Sequence, residues 1–209
     1  GELVGGEVKV GHNLEAILKG LDVDVYSVPS FIKLYDQVTA GIFLNNRTKR
    51  YWFDKNAESN CFMLYARDLL ITWSQDKRYW RWNPFQEHGN TLEVAELIDV
   101  CWLNIVGNIE TSVLSPGISY EAAFEVMLTN SASGWRIPVD VKLKMPDGSE
   151  QESQVNLQDK PRGVWFFISV GHFKISVGET IGNIEFSIVQ HQEAKRGLLV
   201  KGLVIQPKQ

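Results

Sequence analysis

Aromatic and charged side chains are concentrated between Cys61 and Glu87. The segment contains Trp73, Tyr79, Trp80 and Trp82 beside Arg67, Asp68 and Arg78. The flat C–H faces of a sugar ring pack well against aromatic rings, while the hydroxyl groups around its edge need hydrogen-bond donors and acceptors. The segment therefore favours a carbohydrate site in which indole rings stack on pyranose faces and polar neighbours read the hydroxyl and acetamido groups.

The same aromatic residues could instead belong to the hydrophobic core. Trp80 and Trp82 share one face of the strand predicted from Tyr79 to Trp82, so at least one of them is expected to be buried. Trp73 ends an alternating apolar run that starts at Leu69 and could be its last core residue. The residues alone leave both interpretations open.

Residues that could support catalysis do not form a constellation. The four histidines lie far apart, and none has metal-ligand spacing with another His or Cys. Glu93 and Glu96 could suggest a glycosidase pair, but residues three apart in a strand point to opposite faces and cannot flank one glycosidic bond. We therefore expect a protein that binds without catalysing a reaction and that needs no cofactor or metal.

Composition narrows the choice of partners. The net charge of −4 predicts RNA binding that is weak and salt-dependent, because nucleic-acid affinity comes largely from clustered Lys and Arg. No run of about 18 apolar residues occurs, so no membrane partner is expected.

Cys61 and Cys101 are too few for a disulfide framework, and are either reduced, buried thiols or thiols that cross-link under oxidising conditions.

The elements that position these residues change in character along the chain. Two short amphipathic helices are predicted within residues 1–48, the first capped by Asn13 and the second capped by Ser30. Their apolar faces are formed by Leu14, Ile17, Leu18 and Leu21, and by Phe31, Leu34, Tyr35 and Val38. Short helices need a surface to pack on, so residues 1–48 are interpreted as an N-terminal extension of a domain at 49–209.

From about residue 51 onward the apolar period becomes two, as in strands with one buried face. Such strands are predicted at 101–106, 120–128, 184–188 and 199–205, and the apolar run 164–170 predicts a central strand. Turn signals such as Pro146-Asp147-Gly148 separate them. The pattern predicts an all-β fold, a jelly-roll-like β-sandwich with a short helical N-terminal extension.

Several separate blocks of residues 50–207 resemble phloem protein 2 and the Nictaba-like lectins. The blocks are Ala66-Arg67-Asp68-Leu69, Ile71-Thr72-Trp73, Arg78-Tyr79-Trp80-Arg81-Trp82, Glu93-Val94-Ala95-Glu96-Leu97, Val100-Cys101-Trp102-Leu103, Gly163-Val164-Trp165 and 197–203. Residues 1–45 are similar to the N-terminal extension of the cucurbit phloem lectins, which are the closest match within this family.

This resemblance implies a homodimeric plant-defence lectin that binds chitooligosaccharides and the N-acetylglucosamine cores of N-glycans. It also implies a cytoplasmic location in companion cells and sieve elements, and in phloem sap. It gives a sugar-binding role to Trp73, Trp80 and Trp82. The full set of predicted carbohydrate-binding residues is Asp68, Trp73, Arg78, Tyr79, Trp80 and Trp82.

The resemblance also implies a second tier of carbohydrate-binding residues. An acidic pair proposed in relatives aligns with Glu179 and His172, so only one member is acidic here. The loop 190–197 is expected near a ligand-carrying end of the sandwich, which adds His191 and Lys195.

The alternative function that the resemblance implies is a structural or RNA-associated phloem protein. Such a protein would cross-link with phloem filament proteins through intermolecular disulfides, for which Cys61 and Cys101 are the candidate thiols.

Overall fold

Strands follow one another from residue 42 to the C-terminus in the computed structural model of the chain, which describes residues 3–4, 7–8, 11–21, 31–178 and 181–209. In chain order the elements are β1 (Leu3–Val4), β2 (Glu7–Val8), α1 (Leu14–Leu18), α2 (Phe31–Ala40), β3 (Ile42–Leu44), β4 (Lys49–Asp54), β5 (Ser59–Tyr65), β6 (Leu70–Ile71), β7 (Trp80–Glu87), β8 (Asn90–Leu97), β9 (Leu103–Glu110), β10 (Ser119–Ser133), β11 (Val139–Lys144), β12 (Glu150–Val155), β13 (Trp165–Lys174), β14 (Asn183–Gln190) and β15 (Arg196–Pro207). None of the helices in these ranges has the length and apolar character needed to cross a membrane.

The strands form two main sheets. The larger sheet has the order β13-β10-β15-β5-β4-β3. It also contains β8, which pairs with β15 and with β7. β15 can serve two neighbours on one side because Leu199 and Val200 pair with β8, whereas 202–205 pair with β5. The smaller sheet has the order β12-β11-β14-β9-β6.

The core lies between the two sheets and follows from the alternating pattern. Tyr120, Phe124 and Val126 of β10 are fully buried, as are Phe186 and Ile188 of β14. Each such side chain contributes about 1.5–3 kcal/mol by leaving water. The prediction of an all-β sandwich with a minor helical N-terminal part is confirmed.

The prediction of a central strand at 164–170 is wrong. β13 pairs only with β10 in its sheet and therefore lies at the edge. The run is nearly continuous in apolar residues because its outward side chains are aromatic or aliphatic as well; Val164 is 47% exposed and Phe167 is 58% exposed.

The N-terminal helices pack on the sandwich, with Ile17 and Val38 buried in the common core. Asn13 lies at the N-cap position of α1 as predicted, but its side chain makes no capping hydrogen bond to the helix. The side chain donates instead to the backbone oxygen of Ser112 (3.0 Å). Ser30 lies outside the described residues. The predicted boundary at 48/49 falls between β3 and β4, which pair with each other at the edge of the large sheet.

A buried polar network attaches this N-terminal part to the domain. The Asn60 amide donates to the backbone oxygens of His12 (2.6 Å) and Val113 (2.9 Å), and its oxygen accepts from the Tyr51 hydroxyl (2.7 Å). The Tyr120 hydroxyl donates to the Asn60 backbone oxygen (2.8 Å). Because each of these groups has a partner, the network fixes the chain path before α1 without leaving one of them unpaired.

Lys201 is buried within the outer side of the large sheet. Its ammonium lies 3.0 Å from a carboxylate oxygen of Glu87 and 2.8 Å from one of Glu125, and the rings of Phe85 and Trp165 lie about it. Burial alone would raise the pKa of Glu87, but hydrogen bonds from the Tyr65 hydroxyl and Lys201 outweigh it and lower that pKa. The stabilisation from Glu87 is therefore present above its unfolded pKa, about 4.3, and is lost as the pH falls through the lowered folded value.

Replacing this buried cation tests how much the cluster contributes. Lys201→Met keeps the stem among the rings but leaves two carboxylates facing each other, so the free energy of unfolding at pH 7 should fall by about 3–5 kcal/mol. Lys142→Met is the matched control, because its pair with Glu150 is solvent-exposed at 3.7 Å and should contribute less than ~1 kcal/mol. Urea unfolding measures both variants, and equal losses would contradict the assignment.

Candidate functional site

The connection from β6 to β7 consists of tight turns that follow directly from a paired strand. The Thr72 amide donates to the Asn104 backbone oxygen (3.1 Å), which holds the end of β6 against β9. The chain then turns, with the Asp76 amide donating to Trp73 (3.0 Å) and the Trp80 amide donating to Asp76 (3.0 Å). The connection therefore passes from the smaller sheet, which contains β6, to the larger sheet, which contains β7, and it carries Trp73 and Tyr79.

Trp73 is exposed and its backbone is strained. The residue is 52% exposed and has φ of 64°, in the left-handed region. For a bulky side chain this conformation costs about 1–3 kcal/mol, and such strain clusters at binding sites. Trp73 is therefore not the last core residue of its run, which ends at buried Ile71. Its ring centroid lies 5.3 Å from that of Tyr79, and we call this pair the Trp73 platform.

Trp80 is a core residue and not a stacking surface. Only 1% of it is exposed, so a sugar ring cannot reach its face, and the predicted stacking role of Trp80 has to be dropped. Because Trp80 and Trp82 share a strand face, at least one of them was expected to be buried, and the burial of Trp80 confirms this. The indole nitrogen of Trp80 has no hydrogen-bond acceptor among the described residues.

Trp82 is partly buried and forms the wall of a groove. Its indole nitrogen donates to the backbone oxygen of Ser74 (2.9 Å), and the Arg67 guanidinium lies over its ring at 3.7 Å. Arg67 is in turn held by Glu93 (2.9 Å). The groove measures about 540 Å³ and is called the Trp82 groove; it is lined by Arg67, Ser74, Gln75, Lys77, Trp80, Arg81 and Trp82. In the chain, Trp73 directly precedes Ser74, one of the lining residues.

The predicted polar residues divide between two places. Arg78 lies at the platform, with its guanidinium 5.0 Å from the Tyr79 ring centroid and 2.7 Å from Asp76. Hydrogen bonds from Arg78 lower the pKa of Asp76. Asp68 does not line the groove: it lies 3.8 Å from Lys49, and burial raises the pKa of its carboxyl group. The structure gives Asp68 no part in the site.

A second exposed tryptophan was missed as a site residue. Trp102 is 46% exposed and stacks on His191, with ring centroids 3.4 Å apart and planes 9° apart. The sequence could have indicated this exposure, because Leu103 and Ile105 alternate as inward-facing residues, which places Trp102 on the outward face. We call Trp102 and His191 the Trp102 platform. His191, which was predicted as a second-tier residue, thus packs against an exposed aromatic ring.

The other second-tier residues have different outcomes. Lys195 is 1% exposed, and its ammonium donates to backbone oxygens of Cys101 (2.6 Å) and Glu193 (2.5 Å) and to the Gln190 side chain (3.0 Å). Burial lowers the pKa of Lys195 to about 8. Lys195 therefore holds its loop together and cannot reach a ligand, which corrects the prediction. Glu179 lies outside the described residues.

Backbone pairing brings both platforms to the same end of the molecule. The Ile98 amide donates to the Tyr79 backbone oxygen (2.8 Å), and Val100 exchanges two backbone hydrogen bonds with Lys195 (3.0 and 2.9 Å). The segment 98–104 thus connects one platform to the other. Aromatic surfaces beside hydrogen-bond donors suit a ligand with flat apolar faces and a polar edge.

The two cysteines differ in accessibility. Cys61 is fully buried in β5, where burial raises the pKa of its thiol to about 12. Cys101 is exposed and free, and its thiol donates to the His191 backbone oxygen (3.3 Å). Cys61 is therefore excluded as a cross-linking thiol in the folded protein, and of the two interpretations the buried thiol holds for Cys61 but not for Cys101. Within the described residues no cluster of three or more His, Cys, Asp or Glu side chains could hold a metal ion.

Comparison with known proteins identifies the family. The family model described as phloem protein 2 matches residues 59–207, which include β5 to β15 and both platforms. The chain belongs to the phloem protein 2 family. It is 42% identical over 208 residues to phloem protein 2-like A1 of Arabidopsis thaliana, covering 97% of this chain and 83% of that protein. It is 40% identical over 134 residues to a protein of Coccinia grandis named lectin, covering 64% of this chain and 85% of that protein.

Solved structures show a weaker likeness. The GH26-CBM35 β-(1,4)-mannanase of Podospora anserina is 12% identical, with a TM-score of 0.44 over 71% of this chain and 28% of that one. The carbohydrate-binding module TmCBM61, solved in complex with β-1,4-galactotriose, is 11% identical, with a TM-score of 0.40 over 67% of this chain and 87% of that one. Likeness at this level carries no argument about function.

The strain at Trp73 predicts an unusual pattern of stability. Trp73→Asn places a residue that tolerates the left-handed region at an exposed site, so the free energy of unfolding should stay within about 1 kcal/mol of that of the unmodified chain. Trp80→Ala removes a buried ring and should lower it by about 3–5 kcal/mol. Chemical denaturation compares the two, and a loss for Trp73→Asn as large as that for Trp80→Ala would show that Trp73 is structural.

Proposed function

We propose that the chain is a carbohydrate-binding lectin that recognises N-acetylglucosamine oligomers and acts without catalysing a reaction. The observation that carries the proposal is the half-exposed indole of Trp73, which has a strained backbone, packs beside Tyr79 and directly precedes Ser74 of the Trp82 groove in the chain. Exposing a large ring in this conformation costs free energy, and the exposed indole offers a sugar ring a stacking surface. The family membership and the name of the Coccinia grandis relative support the same class.

Each part of the site has a separate task in this proposal. The Trp73 platform contacts the apolar face of one pyranose ring, while Arg78 at its edge donates to hydroxyl or acetamido oxygens. The Trp102 platform contacts a second sugar unit of a longer chain, since segment 98–104 joins it to the first. Chitooligosaccharides and N-glycan cores offer both units in one ligand.

Weak single contacts explain why oligomers and dimers belong to the proposal. One aromatic contact contributes about 1 kcal/mol beyond its area, so a single sugar unit binds at roughly millimolar strength, about −4 kcal/mol. Two platforms in one chain, and two chains in a homodimer, make the second contact intramolecular and raise the overall affinity. A cytoplasmic location in companion cells and sieve elements, and in phloem sap, completes the proposal.

Calorimetric titration with chitooligosaccharides tests the two platforms separately. Trp73→Asn should weaken chitobiose and chitotriose binding by about tenfold or more, because it removes a stacking contact without unfolding the chain. Trp102→Ala should weaken binding of longer oligomers more than binding of chitobiose, since short ligands need one platform only. Phe167→Ala is the matched control, because Phe167 is an aromatic residue of comparable exposure on the edge strand β13. Equal losses in all three variants, or none, would end the proposal.

A second candidate function rests on the exposed thiol of Cys101. In this alternative the chain is a structural phloem protein that forms intermolecular disulfides with filament proteins, and any RNA association is weak because the net charge is −4. Cys101 is exposed in the segment that precedes β9, where the thiol of another chain can approach it.

Oxidation of the pure chain with diamide tests this alternative. Two Cys101 thiols of different molecules should lose two electrons to the oxidant and form a disulfide dimer on non-reducing gels. Cys61→Ser should still form the dimer because Cys61 is buried, whereas Cys101→Ser should not. A dimer that survives in Cys101→Ser, or no dimer at all, would remove the disulfide role.

A further inference from the structure

We propose that the Trp82 groove binds an acidic group of the glycan, a sulfate ester or a uronic acid carboxylate, beside the ring that stacks on Trp73. This inference rests on the proposed carbohydrate function and specifies the class of sugar. It starts from the charge of the lining: Arg67, Lys77 and Arg81 line the groove, and none of the lining residues is acidic.

The three cations are neutralised to different degrees. Arg67 forms a close pair with Glu93 (2.9 Å) and covers Trp82, so it is already engaged. Arg81 is mostly exposed, and its nearest carboxylate oxygen, on Glu96, is 4.0 Å away and also accepts from Asn83 at 2.6 Å. Lys77 has no salt-bridge partner in the described part of the chain. The groove therefore keeps positive charge in a protein whose net charge is −4.

The hydrogen-bonding capacity of the lining points to the same ligand. Lys, Arg and Trp side chains only donate hydrogen bonds, so most of the lining offers donors and few acceptors. A neutral sugar hydroxyl both donates and accepts, whereas an ionised carboxylate or sulfate only accepts. An acceptor-only group complements this lining better than a hydroxyl does.

The surroundings favour a single acidic group over a long polyanion. Glu93 pairs with Arg67 (2.9 Å), Glu96 lies 4.0 Å from Arg81, and Asp76 pairs with Arg78 (2.7 Å). These carboxylates do not line the groove, so they leave it positive while they repel a run of phosphates that extends past it. A volume of about 540 Å³ accommodates a sugar unit with its acidic substituent.

The test compares neutral and acidic oligomers of equal length. Full-length chain is titrated calorimetrically at pH 7 with chitotriose, 6-O-sulfated chitotriose and trigalacturonate, in 50 and in 300 mM NaCl. At least one acidic probe should bind about tenfold more tightly than chitotriose at the lower salt, and which one does so distinguishes sulfate from carboxylate. The ratio should fall at 300 mM, because these cations are exposed and screened by salt.

Variants locate the preference. Lys77→Gln combined with Arg81→Gln should bring the ratio of acidic to neutral affinity close to one, whereas Lys55→Gln, an exposed lysine in the turn between β4 and β5, should leave it unchanged. Acidic probes that bind no more tightly than chitotriose, or a preference that survives in the double variant, would overturn the inference while leaving the lectin proposal standing. Acidic probes that bind where chitotriose does not would support the inference and overturn the preference for neutral oligomers.

Discussion

The burial of Trp80 at the start of β7 determines the geometry of the whole site. Its side chain fills the end of the core, its backbone pairs opposite Leu97 in β8, and its amide closes the preceding turn onto Asp76. With Trp80 fixed inside, strand parity places Trp82 on the same side, where it packs partly buried against the core. Trp73, in the turn before β7, is 52% exposed. Neighbouring tryptophans are therefore divided between the core and the surface.

Sequence patterns predicted those features that depend on periodicity. Alternation in β10 and β14 follows from a single buried face, and helical spacing located both N-terminal helices. The edge position of β13 could not be read from its composition, because an edge strand with aromatic residues on its outer side looks like a strand buried on both faces.

The composition of the site was predictable but the orientation of individual rings was not. Parity could have identified Trp102, whose neighbours alternate clearly. The exposure of Trp73 depends on a positive φ imposed by the turn, and no local pattern encodes that for a tryptophan. Burial of Lys195 and Lys201 could not be predicted either, since lysine is normally solvent-exposed. The Cys101 backbone oxygen, distant in the chain, joins the nearby acceptors of Lys195, and both carboxylates around Lys201 come from distant strands.

The position of β15 has a consequence for folding. β15 is an interior strand of the large sheet, and it joins β10 to both β5 and β8. Until β15 is in place, the strands on its two sides cannot form one sheet. A chain in which β15 is unpaired therefore exposes strand edges that invite aggregation.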